Sequence, residues 1–224
     1  MNTLRLTWLL LRKDMQVTAR SKELVGVTLM FAVLCVLVFS FGFLQSGAAA
    51  IRYVPGVLWV TLLFTSSVSL LRLFAPEEEG GTLALVSMTT SGSAPLFWSK
   101  VCLQLLFSAL VCALIVPLVL LFFDARLSNV GTVVAALGLG LIGQAVVGTL
   151  CAALLAQVRL KEVMLPLILY PMLAPLLIAG VKVTALSVTG VESPALSNWL
   201  SLMMVFDLIF MVVSPWLYGR ATQP

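Results

Sequence analysis

The chain has 224 residues, 61% of them hydrophobic and 10% charged, with a mean hydropathy of +1.14 and a net charge of +4. A composition this apolar excludes a water-soluble globule, and the scattered basic residues exclude a nucleic-acid-binding face. There is no histidine and no G-x-x-x-x-G-K-[ST] motif. The commonest general base and metal ligand is therefore missing, and so is a phosphate-binding loop. No catalytic or metal-binding set can be assembled, and the expected class is a non-enzymatic integral membrane protein.

Residues 3–20 come first. Leu4, Trp8, Leu11 and Met15 recur at helical spacing, with Arg5, Arg12, Lys13, Gln16 and Arg20 on a neighbouring face. This predicts an amphipathic helix suited to the headgroup layer, although a basic leader that only sets orientation explains the charges as well. Six apolar runs follow, at about 24–44, 53–71, 101–123, 130–157, 163–181 and 199–218. Each approaches or exceeds the ~20 residues that a helix needs to cross ~30 Å of hydrocarbon. They predict one all-α domain over 1–224, since helices satisfy their own backbone within lipid. With a cytoplasmic N-terminus, Arg5, Arg12, Lys13, Arg20, Lys22, Arg72, Lys100, Arg159, Lys161 and Arg220 fall inside. Only Arg52, Arg126 and Lys182 fall outside. That asymmetry places both termini in the cytoplasm. Cys35, Cys102, Cys112 and Cys151 all lie within apolar runs and are expected to be small buried hydrophobes.

Between the second and third runs, residues 72–100 hold Pro76, the acidic run Glu77, Glu78 and Glu79, then Gly80, Gly81, Thr82 and Leu83. Proline and glycine permit a sharp turn, and a short helix is expected after Thr82, with Ser93 and Pro95 opening the next span. A short helix beside three carboxylates suits docking onto a partner's basic groove; a solvated acidic loop is the plainer alternative. In the fourth run Ala136, Gly140, Gln144, Gly148 and Ala152 form a small-residue ridge for close helix packing, against a neighbour in this chain or in another copy. The fifth run contains Pro166, Pro171 and Pro175 and should bend or partly unwind. Residues 182–198 are expected as the largest extracytoplasmic loop. Asp207 lies mid-way along the sixth run, where an acid costs about 3 kcal/mol to insert and should face protein. Trp199 and Trp216 bracket that run at its two interfaces.

Several of these stretches resemble one family. Val54-Pro55-Gly56-Val57-Leu58-Trp59-Val60, Arg72-Leu73-Phe74, the acidic run with Gly81-Thr82-Leu83, and Lys100 are similar to the haem exporter protein B family, CcmB. Leu165-Pro166-Leu167 and the segment from Pro171 to Ala179 resemble its fifth helix. The resemblance implies an ABC-2-like permease of six helices, the membrane subunit of the cytochrome c maturation ABC transporter in the bacterial inner membrane. It also implies a homodimer joined to the ATPase subunit CcmA and to CcmC and CcmD. ATP on the partner would drive release of the haem-loaded periplasmic chaperone CcmE. Alternatively the complex would export haem, which is thus the substrate implied for the complex, and this chain alone is expected to bind no cofactor. Under that reading Glu77 to Leu83 couple to the ATPase. A permease of another ABC-2 exporter, for lipid, drug or polysaccharide, shares the topology; an ion-coupled transporter would want more midplane charge than Asp207.

Overall fold

The computed structural model describes residues 3–20, 22–43, 50–79, 93–125, 127–190 and 194–221. The elements are helices in the order α1 (Thr3–Arg20), α2 (Lys22–Phe43), α3 (Val54–Leu70) and α4 (Ala75–Glu79), then α5 (Ser93–Phe122), α6 (Val130–Leu155), α7 (Lys161–Thr189) and α8 (Pro194–Ala221). Six of them are long and apolar enough to cross a membrane. The chain is an all-α, multi-pass membrane protein.

Local chemistry explains several boundaries. Pro55 opens α3 within its first turn, where the missing amide hydrogen costs nothing. Asn129 caps α6 by accepting a hydrogen bond from the Thr132 amide at 3.2 Å. Gly190 ends α7 with φ of 70°, a left-handed turn that glycine adopts without strain.

Two expectations need correction here. The region 182–198 is largely helical and not a long loop: α7 runs on to Thr189, and α8 starts at Pro194. The reason is periodic burial beyond the apolar run, with Val183, Thr184 and Ser187 all packed inward. Moreover, α7 stays helical through Pro166, Pro171 and Pro175, which excludes unwinding, one of the two expected outcomes, and leaves bending as the other. The third span begins at Ser93, eight residues ahead of its apolar run.

Among the six spans α3 is the most enclosed. Over an 18-residue apolar stretch of that span 72% of residues are buried, against 17% for the equivalent stretch of α8 and 22% for that of α2. Such values leave α2 and α8 the most exposed. The outer face of α8, with Met204, Val205, Leu208 and Val212, is exposed, as is a stripe of Val27, Met30, Leu34 and Val38 on α2. Large exposed apolar surfaces of this kind are expected where lipid is the solvent.

Candidate functional site

At the end of the bundle that carries the N-terminus, three elements meet around four charges. Lys100 on α5 places Nζ 2.7 Å from Glu77 Oε2 and 3.0 Å from Asp14 Oδ2. Lys13 closes the figure, with Nζ 3.1 Å from Glu77 Oε1 and 3.3 Å from Asp14 Oδ1. The Lys13–Glu77 contact also has hydrogen-bond geometry. Two cations and two anions make a neutral square. Neutrality is what allows the burial, because an unpaired ion taken out of water costs several kcal/mol.

The square is asymmetric in exposure. The side chains of Lys100, Asp14 and Glu77 are 1%, 2% and 3% exposed, whereas that of Lys13 is 50% exposed. The Lys100 ammonium also sits 5.6 Å from the centre of the Phe74 ring, a favourable cation–π approach. For Lys13, burial pulls the ammonium down, but the hydrogen bond to Glu77 and the charges of Asp14 and Glu77 outweigh it. Its pKa ends above the ordinary lysine value.

These contacts alter how two sequence features are understood. Glu77 points into the protein, tied to α1 and α5, and does not lie free for a partner. Glu78 and Glu79 share its short helix, while Gly80, Gly81, Thr82 and Leu83 lie outside the described residues, with the helix expected after Thr82. On α1 the protein-facing positions include Leu11 and Asp14, while Trp8 and Met15, expected on one face with Leu11, are exposed. An acid therefore sits on the packed face, a choice that makes sense only because two lysines meet it there. Neither Asp14 nor its pairing with Lys100 was recognised from sequence. The one available signal was that Asp14 is the only acid among the first twenty residues.

Beneath the square, a polar seam joins α3 to α5. Gln104 Nε2 donates to Ser69 Oγ at 2.9 Å and to Ser108 Oγ at 3.1 Å, and the Ser66 and Ser108 hydroxyls lie 3.4 Å apart. Interhelical hydrogen bonds in lipid hold helices at a fixed register.

The small-residue ridge of α6 packs on α3 of the same chain. A methyl group added at Gly140 would collide with the Trp59 indole, and one at Gly148 would meet Leu70 Cδ1 at 2.6 Å. Between them Gln144 Nε2 donates to the Leu62 carbonyl at 3.5 Å. Gly180 on α7 leaves a second notch for the same indole, whose Nε1 donates to Thr184 Oγ1 at 3.0 Å. Trp59 thus wedges three helices together. Asp207 is 3% exposed and faces Gly143 on α6, which Leu176 of α7 also approaches. Neither of its carboxyl oxygens has a hydrogen-bond partner among the described residues.

Residues 5–223 match the model of the CcmB protein family, which is essentially the whole chain. The chain belongs to the CcmB family. No curated protein sequence matches it. As a CcmB family member it is the membrane permease subunit of an ABC transporter in cytochrome c maturation, partnered with an ABC ATPase and other maturation components. Family membership thereby decides against a permease of another ABC-2 exporter.

Proposed function

We propose that the chain converts ATP hydrolysis by CcmA into movement of its own helices, and that this movement releases haem-loaded CcmE on the far side of the inner membrane. The observation that carries this reading is the charge square. It ties Glu77, just before residues 80–92, and Lys100, just after them, to one another and to α1. A push on the segment between them is then passed to α1 and α5 together, not absorbed by a loose connection. Glu78, Glu79 and the Gly80–Leu83 stretch supply the surface on which the ATPase acts, and Glu77 acts as an internal tie. Both termini face the cytoplasm, as the basic-residue asymmetry supports. Two copies work with CcmA, CcmC and CcmD, haem is ligated by a partner, and ATP is bound by CcmA.

The test separates tie from surface. With Glu78→Ala and Glu79→Ala combined, the chain should fold and insert normally, while CcmA recovered on purification and accumulated c-type cytochromes both fall at least several-fold. Unchanged CcmA recovery together with unchanged CcmE release would refute the coupling assignment.

A further inference from the structure

At the opposite end of the bundle, α2, α3 and α7 leave an open groove of about 290 Å³, at the small end of the ~300–1,000 Å³ typical of small-molecule clefts. Its walls are apolar and aromatic: Phe39 and Phe43 from α2, Tyr53, Val57 and Val60 from the start of α3, and Val181 from α7. Phe43 and Tyr53 stack with ring centres 4.3 Å apart, and Phe39 continues the stack below Phe43 at 6.5 Å. The floor is open at Gly56, where an added methyl group would meet nothing within 4 Å. Unlike Gly140 and Gly180, which make room for Trp59, Gly56 has open space where a side chain would begin.

One charge stands at this groove. Arg52 lines it, is exposed, and has no ion-pair partner among the described residues. It lies two residues before α3, near the start of the apolar span Ala50–Glu77, and the groove runs along helices long and apolar enough to cross the bilayer. Tyr53 and Val60 are themselves partly exposed, so the groove is continuous with the lipid-facing surface. An apolar trench entered from lipid, with one guanidinium at headgroup level, has the shape and charge of an amphiphile with an acidic head. Arginine's fork also matches two phosphate oxygens at once.

We propose that this groove is a binding site for an anionic phospholipid of the bilayer. One acyl chain lies over Gly56 between Phe39 and Val57, and the headgroup phosphate is held by Arg52. The site is separate from the charge square and from the coupling reading, and it stands or falls without them.

The experiment uses the full chain reconstituted in nanodiscs of phosphatidylcholine. Trace phosphatidylglycerol or trace phosphatidylcholine carries a photoreactive diazirine on one acyl chain, and labelled peptides are mapped by mass spectrometry. Phosphatidylglycerol should label the peptide spanning residues 39–60 about fivefold more than phosphatidylcholine does, the preference expected from one basic group at the headgroup layer. Arg52→Gln should remove the preference and leave equal labelling by both lipids. Gly56→Leu, whose Cβ enters open space, should reduce labelling by both. Since Arg52 is exposed and Gly56 faces a void, neither variant should disturb folding, and retained helical circular dichroism verifies this. Labelling spread evenly around the bundle, or insensitive to both substitutions, overturns the proposal. So does exclusion of both lipids from the groove by a polypeptide, as when partner subunits restored to the disc block all labelling there.

Discussion

Replacing Lys100 by methionine keeps the apolar stem and volume of the side chain but removes the cation. The square then holds Asp14, Glu77 and Lys13, with a net charge of −1 in a place where both acids are nearly inaccessible to water. Leaving one buried charge uncompensated costs about 3–5 kcal/mol. Lys13→Ala leaves the same net charge, yet its side chain is half exposed and water can take its place. A pair whose cation is half exposed is worth about 1 kcal/mol. The double variant Lys100→Met with Glu77→Leu leaves only Lys13 and Asp14, neutral again, and should recover most of the loss. Reversible unfolding in mixed micelles with increasing dodecyl sulfate, followed by circular dichroism, measures all three. Equal costs for the two lysines, or no recovery in the double variant, would refute the account of a buried, mutually compensated square.

The Trp59 wedge makes a prediction that uses glycine as its own control. Gly140→Ala drives a methyl group into the indole and should cost about 1–3 kcal/mol, the usual range for overpacking. Gly138→Ala, on the same helix with nothing within 4 Å, should leave the unfolding midpoint in the same micelle titration unchanged. The pH dependence follows from Lys13, whose pKa is raised above 10.5 on folding. Its stabilising contribution is complete below the unfolded value and disappears as pH rises through the folded value. Alkaline unfolding curves of the native chain and of Lys13→Ala should therefore differ below about 10.5 and converge at higher pH.

The six spans were legible because each is a long apolar stretch, and nothing but a helix satisfies its backbone in lipid. Their ends were less so. Apolar counting stopped at residue 181, but inward packing of Val183, Thr184 and Ser187 carries α7 on to Thr189, where Gly190 provides the actual stop. Gly140 and Gly148 could be found by spacing, because ridges are a property of one helix. The object filling their neighbourhood could not, since the position of Trp59 depends on how three helices are set against each other. The charge square was hidden for the same reason. Its members come from α1, α4 and α5, and each alone looks like an ordinary surface charge. Reading Glu77 with Glu78 and Glu79 as one acidic run hid the fact that it is partnered differently, through Lys13 and Lys100.

The wedge also limits where anything could cross. One indole seated in notches on two neighbouring helices acts as a dowel: α3, α6 and α7 travel as a block or stay still. A passage opened during the working cycle cannot run down the middle of that trio without pulling the dowel out. Any opening that leaves the dowel in place lies outside that trio.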